Sequence, residues 1–321
     1  MLLFRAIEWG TVGHFRMDIA QREAFILKLV ERGASSGPVS DLRTLALTTA
    51  CSWVGGNIIE ALMQPRDMEE IVKPFNNIGK YCLKLEKWML PGEQGSYMHI
   101  AAYYCNSPAV CALMDKRARL LVSNKERTPL HWLSMRGSIT SQSSPWAKDY
   151  ELRGQSYTDA CRETAQVLVN RALDVNAQDE YGRTALHYAC HLNMVELIHV
   201  LVELGADIAI YDEDGCLASH YLGEGMLGYE YFYCGRETHF GKQEGPYPAA
   251  LKKVAMDAFN LQQLNAGDKN SLTPLMHAVK NIQCGESEMA AWPGRGRCSH
   301  RQQRQDLSSS CHGPPCLLPC A

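Results

Sequence analysis

The stretch from Asp179 to Ile208 begins Asp-Glu-Tyr-Gly-Arg-Thr-Ala-Leu-His-Tyr-Ala-Cys and ends Leu-Gly-Ala-Asp-Ile. Thr184 is a good residue for the N-cap of a helix, and Gly205 accepts the left-handed conformation at a helix end. The residues between them predict a short inner helix, a turn and an outer helix. The apolar side chains at helical spacing on the outer helix are Leu197, Ile198, Leu201 and Val202.

The same pattern recurs on both sides of this stretch. His220 follows His187 by 33 residues, and a turn like that around Gly182 precedes it at residues 211–215. Further inner helices are predicted where a capping residue, an apolar residue and a histidine or methionine recur, at residues 96–102, 128–131 and 273–276. Weaker matches predict an outer helix and its glycine turn at residues 25–34, and an inner and an outer helix at residues 47–51 and 58–63. A repeating unit of this length predicts a stacked architecture.

The pattern resembles the ankyrin repeat, whose period is 33 residues. The resemblance covers about residues 2–283 and implies an all-α solenoid of about six to seven degenerate repeats, in which a projecting turn, the finger, precedes each pair of helices. It also implies that the inner-helix histidine holds adjacent fingers by hydrogen bonds, so His187 is expected to be structural and not catalytic. The positions that carry the repeat are Thr128, Pro129, His131, Gly182, Thr184, His187, Gly205, Gly215, His220, Thr273 and Pro274.

Three segments are predicted along the chain. Residues 1–92 contain degenerate ankyrin-like helix pairs, and residues 93–283 contain repeats with long insertions between inner and outer helices at 138–160 and about 226–250. Residues 284–321 are rich in Gly, Ser, Gln, Arg and Pro and are expected to form a divergent, disordered tail. Zinc binding by the tail is the alternative, through Cys298, His300, Cys311, His312, Cys316 and Cys320.

The composition argues against some classes of partner and favours an intracellular compartment. The formal net charge of −3 and pI near 6.4 give no basic field for nucleic acid or an anionic membrane. Charges at Arg5 and Glu8 interrupt the N-terminal apolar residues, and no apolar run is long enough to span a bilayer. We therefore expect a monomeric intracellular protein of the cytoplasm or nucleus, with its cysteines reduced and buried.

No motif in the sequence argues for catalysis. Residues 223–228 match the G-x-G-x-x-G dinucleotide fingerprint, but the strand and helix that the fingerprint requires are not predicted around them. No nucleophile elbow, zinc-protease motif or phosphate loop occurs. We therefore predict a non-enzyme with no cofactor and no metal.

The resemblance implies a protein–protein interaction module that binds a protein partner through a concave surface of finger tips and exposed inner-helix residues. Carried over by position, this surface comprises Tyr103, Tyr104, Lys125, Glu126, Met135, Arg136, Glu180, Tyr181, Arg183, His191, Glu213 and Asp214. The alternative is an accessory or catalytic protein that binds a small ligand under the aromatic insertion at 223–248. A third hypothesis is a defective fragment with no partner.

Overall fold

The computed structural model describes residues 6–7, 19–33, 47–52, 55–63, 94–115, 122–135, 156–192, 194–222 and 257–279. All of them belong to one compact unit, residues 1–281. The predicted insertions therefore lie mostly outside the described residues. The predicted tail lies wholly outside them, as does the aromatic segment at 223–248.

The described residues form short helices joined by tight turns. The helices are α1 (Ile19–Glu31), α2 (Gly56–Leu62), α3 (Tyr97–Tyr103), α4 (Ser107–Asp115), α5 (Pro129–Met135), α6 (Tyr157–Asn170), α7 (Ala185–His191), α8 (Val195–Glu203), a 3₁₀ helix (Ala218–Tyr221) and α9 (Leu261–Leu264). Residues 6–7, 47–52 and 274–279 are also helical. Among the described residues there is no strand, and an isolated bridge joins Tyr211 and Leu217.

The helices stack in two layers. In the inner layer α3 packs on α5, α5 on α7, and α7 on the 3₁₀ helix; in the outer layer α1, α2, α4, α6 and α8 follow one another in the same way. Small side chains let the layers approach closely, because Ala101, Ala102, Ala189 and Cys190 are completely buried on the inner helices. The buried apolar residues of all these helices form one continuous core. The predicted all-α solenoid is confirmed.

Capping residues set the helix boundaries. Ser156 caps α6, because its hydroxyl accepts a hydrogen bond from the backbone N–H of Asp159 at 3.1 Å. Helix α6 therefore begins at Tyr157, and residues 157–160 of the segment predicted as an insertion belong to the helix. Gly205 follows α8 with a φ of 93°, which is the left-handed conformation expected at a helix end.

Candidate functional site

Each finger is a tight turn organised by the first side chain in it. In the finger of residues 179–183, Asp179 Oδ1 accepts the backbone N–H groups of Tyr181 and Arg183, both at 3.0 Å. Asp212 and Asp268 do the same in the fingers of residues 212–216 and 268–272. Because each carboxylate satisfies two backbone donors, the fingers keep one defined shape.

The fingers also join one another edge to edge. The N–H of Glu180 donates at 3.1 Å to the carbonyl of Lys125, which lies in the finger of residues 123–127, and the N–H of Glu213 donates to the carbonyl of Tyr181 at 2.9 Å. Gly182 permits the second contact, because a Cβ at this position would lie 2.9 Å from the nitrogen of Glu213. Its φ of 71° is also one that favours glycine. Three fingers thus form a continuous edge.

Buried histidines tie the inner helices to the next finger. His131 Nδ1 accepts the backbone N–H of Thr128 at 3.0 Å, and its Nε2 lies 2.9 Å from the carbonyl oxygen of Arg183. Since a carbonyl only accepts, Nε2 carries the proton and the ring is neutral. His99 and His187 make the same pair of contacts one repeat before and one repeat after, to the carbonyls of Arg127 and Cys216.

Burial lowers the pKa of His99, His131 and His187 to about 4 in each case, more strongly than the neighbouring carbonyls raise it. These rings have both nitrogens engaged and stay neutral at physiological pH. They hold fingers in place and do not present a free nitrogen to a substrate.

Ion-pair clusters connect successive fingers below their tips. Arg127 Nε donates to the buried Asp179 carboxylate at 3.2 Å, and the Tyr188 hydroxyl donates to the same oxygen at 2.6 Å. One repeat later Arg183 and Tyr221 contact Asp212 in the same way, at 3.3 and 2.5 Å. We call these two sets the Arg–Asp–Tyr clusters.

The hydrogen bonds of the first cluster keep the Asp179 carboxylate ionised. Burial alone would raise the pKa of Asp179, but the hydrogen bonds from Tyr188 and from the Arg183 and Tyr181 N–H groups hold it below its usual range. Asp179 is therefore a stable anion that pairs with Arg127.

The clusters were not predicted from the sequence. The sequence nevertheless contains a pattern that marks them, because a tyrosine follows nine residues after Asp179 and again nine residues after Asp212. Asp268 is followed nine residues later by His277, so the finger of residues 268–272 departs from the pattern.

The structure brings together seven of the residues predicted to bind a partner. They lie on three neighbouring fingers, and they are Lys125, Glu126, Glu180, Tyr181, Arg183, Glu213 and Asp214. Glu126, Glu180 and Glu213 are exposed, and Lys125 pairs with Glu180 at 3.6 Å. We call this set the finger surface.

Tyr181 lies at the centre of the finger surface. Its side chain is 41% exposed, and the charged groups of Lys125, Arg127 and Arg183 lie 5.8–6.0 Å from the centre of its ring. Cations at this distance from an aromatic ring are attracted to its face. A rigid backbone and three surrounding cations therefore fix an exposed aromatic side chain.

The other predicted residues lie elsewhere. Tyr103 and Tyr104 are buried at the end of α3, where their rings pack edge to face 5.2 Å apart, so the prediction that they belong to an exposed surface is corrected. Their large apolar rings gain more from the core than from solvent. Met135 and His191 are half-buried at the ends of α5 and α7. Arg136 lies outside the described residues.

Comparison with known proteins agrees with this geometry. Residues 157–212, which include α6, α7, α8 and the finger at 179–183, match a family model described as ankyrin repeats in three copies. The chain contains ankyrin repeats.

Curated relatives of this ankyrin chain include neurogenic locus notch homolog protein 1 of Xenopus tropicalis and of Homo sapiens, each 31% identical over 122 residues, which is 34% of this chain and 5% of the relative. An ankyrin repeat protein of fowlpox virus is 38% identical over 50 residues, 16% of this chain and 8% of its own. The chain thus spans 5% to 8% of the length of these relatives. The similarity concerns the ankyrin repeats and not the whole of those proteins.

Two further observations bear on the chemistry of the ankyrin array. Burial raises the pKa of Cys51 and Cys190, so these thiols stay protonated at neutral pH and are poor nucleophiles. In the part of the chain that the structure describes, no helix is both long enough and apolar enough to cross a bilayer. Ankyrin repeats are typically non-catalytic and generally act as protein–protein interaction modules.

Proposed function

We propose that the chain is a non-catalytic scaffold that binds a protein partner through the finger surface, with Tyr181 as the central contact. The observation that carries the proposal is the exposed ring of Tyr181, held among three cations on a finger whose backbone N–H groups are all hydrogen-bonded. Tyrosines and arginines in rigid positions are the residues that dominate protein interfaces.

The charges around Tyr181 support a folded protein partner over a polyanion. Glu126, Glu180 and Glu213 are exposed on the same edge as Lys125, so the surface carries both signs. Nucleic acid requires a predominantly basic surface, whereas protein interfaces mix charges of both signs around an aromatic centre.

Site-specific photocrosslinking would test the location of the binding surface. A photoreactive phenylalanine analogue at position 181 is expected to capture the partner, and the same analogue at Arg162, a half-buried position on the outer helix α6 whose side chain is 42% exposed, is expected to capture much less. Equal capture at the two positions would contradict the proposal.

The captured partner, once purified, allows a quantitative test. Tyr181→Ala should weaken its affinity about 30-fold or more, the size expected for a central interface residue. Charge reversal at Glu180 and Glu213 should weaken it about 3- to 10-fold without lowering Tm. Glu203→Lys is the matched control, because Glu203 is an exposed acid paired with Arg162 on the outer helices, away from the fingers. Unchanged affinity in the Tyr181 and glutamate variants would exclude this surface.

A further inference from the structure

The finger of residues 268–272 replaces both partners of its aspartate, whose side chain is buried. In the Arg–Asp–Tyr clusters an arginine of one finger contacts the aspartate of the next, as Arg127 does with Asp179 and Arg183 with Asp212. The residue at the arginine position before Asp268 is Cys216, and the residue at the tyrosine position after it is His277. The cluster thus becomes Cys–Asp–His.

This replacement exchanges the guanidinium for a thiol, so the ionisable partner left beside the Asp268 carboxylate is the imidazole of His277. The side chain of Asp268 is only 4% exposed, and it accepts hydrogen bonds from the N–H groups of Asn270 and Leu272 and lies 3.0 Å from His277 Nε2. The amine of neighbouring Lys269 bonds to the carbonyl of Glu213. A buried carboxylate is normally balanced by a cation, which a guanidinium supplies in the two preceding clusters.

The three residues of the altered cluster are metal ligands by type and by position. The sulfur of Cys216, a carboxylate oxygen of Asp268 and an imidazole nitrogen of His277 all lie within 4.8 Å of one another. In a tetrahedral zinc site, bonds of about 2.0–2.3 Å place the ligand atoms about 3.3–3.8 Å apart. Rotation of the three side chains by a small amount would bring the atoms to these distances, and a mixed sulfur, nitrogen and oxygen set suits zinc.

A second observation points to the same place. His220 is buried and its Nδ1 accepts the N–H of Leu217, while its Nε2 makes no hydrogen bond of good geometry although the backbone of Ala266 and of Leu272 lies beside the ring. Its ring centre lies 5.5 Å from that of His277. The side chain of His277 is 17% exposed, so water and ions can reach the cluster from one side. A metal-bound water in the fourth position would give the His220 N–H an acceptor.

We propose that Cys216, Asp268 and His277 form a zinc site that replaces the arginine of the preceding clusters as the positive charge beside the finger aspartate. On binding, the Cys216 thiol releases its proton to solvent and its sulfur bonds to the ion, while Asp268 and His277 donate lone pairs. The ion pins the finger at residues 268–272 to the finger before it, in the place where Arg127 and Arg183 pin the earlier fingers. Three protein ligands and a water complete the tetrahedral coordination, and the ion acts by joining the two fingers.

The test measures zinc content and thermal stability in the full chain. Cys284, Cys298, Cys311, Cys316 and Cys320 are first replaced by serine in every sample, so that the tail at residues 284–321 contributes no thiol. After dialysis against zinc, this chain should hold about one zinc per molecule. Its Tm should also rise by about 4 °C or more over the same sample in a chelator. Cobalt should give a thiolate-to-metal absorption band, and Cys216→Ser should remove that band together with the Tm rise.

The double variant Cys216→Arg with His277→Tyr is the matched control, because it restores the Arg–Asp–Tyr pattern of the neighbouring repeats. It should bind no zinc and should be at least as stable in chelator as the parent chain. Cys190→Ser, which alters a buried thiol elsewhere on an inner helix, should retain the zinc and the Tm rise. Absence of zinc from the parent chain, or the same zinc content and Tm rise in the double variant or in Cys216→Ser, would overturn the proposal.

Discussion

Glu126 occupies a finger position where the backbone conformation favours glycine. Its φ is 57°, and the equivalent residues of the next two fingers are Gly182 and Gly215, with φ of 71° and 75°. A side chain in this left-handed region costs about 1–2 kcal/mol relative to glycine, part of which glycine loses again through its greater freedom in the unfolded chain. The Glu126 side chain is exposed, so its removal sacrifices no packing.

Glu126→Gly should therefore raise the free energy of unfolding by a few tenths to about 1 kcal/mol. Urea denaturation followed by circular dichroism measures the change. Lys125→Gly is the control, since Lys125 lies in the same turn without a positive φ. That variant should lose about 0.5–1 kcal/mol. A loss of stability in Glu126→Gly equal to that of the control would show that the strain is absent.

The conformation and burial of some single residues can be predicted from the sequence, and those of others cannot. The glycine missing from the finger near Arg127 is visible by comparison with Gly182 and Gly215, because the spacing is fixed. The burial of Tyr103 and Tyr104 is not visible in the sequence. In the repeat pattern, these two positions after the alanines belong to the exposed surface. Their own size draws them into the core. The Cys–Asp–His cluster could not be found by motif, since Cys216 and Asp268 are far apart in the chain and only the stacking of fingers joins them.

At the scale of elements, the inner helices are linked to the fingers through neutral histidines. Protonation of His131 Nδ1 would set an N–H against the N–H of Thr128 and abolish a buried hydrogen bond. The folded protein resists this, and the pKa of His99, His131 and His187 is lowered to about 4 by burial, whereas an unfolded histidine has a pKa near about 6.5. The unfolded chain therefore binds more protons than the folded chain between these two values.

This difference fixes the sign of the pH dependence. The stabilisation is complete above about pH 6.5 and is lost as the pH falls toward about 4, with each of the three histidines contributing up to about 1.4 kcal/mol per pH unit in that window. Urea midpoints at pH 7.5, 6.0 and 5.0 measure the slope. His131→Gln keeps an N–H donor for the carbonyl of Arg183 but cannot be protonated. The free energy of unfolding should therefore change less steeply with pH, by the contribution of one histidine. Parallel slopes for the variant and the parent chain would contradict the assignment.

Elements with strong periodicity were predictable, and their boundaries less so. The 33-residue spacing of His187 and His220 placed the inner helices, because each must present its buried residues to the same neighbours. The insertion predicted at 138–160 overlaps the first four residues of α6, because the Ser156 cap lies in a polar stretch that looks like the rest of the insertion. Local capping is decided by one hydrogen bond, which periodicity does not reveal.

At the scale of the whole molecule, stability in a stacked array depends on what covers each repeat. Equivalent inner-helix positions hold Leu130, Leu186 and Leu275, and their exposed fractions are 0%, 1% and 70%. The first two are covered on both sides by neighbouring helices, whereas Leu275 lies on the helix at residues 274–279 with Met276 and Val279 also exposed. Leucine at the same repeat position therefore contributes very different amounts to the free energy of unfolding.

Leu186→Ala should lower the free energy of unfolding by about 2–5 kcal/mol, because it leaves a cavity between α7 and its neighbours. Leu275→Ala removes side-chain atoms that are already in water and should cost no more than about 0.5 kcal/mol. Because repeats couple mainly to their nearest neighbours, amide hydrogen exchange should show the same asymmetry, with α7 protected far longer than residues 274–279. Equal losses in the two variants, or equal protection of the two helices, would mean that the apolar face around Leu275 is covered in solution.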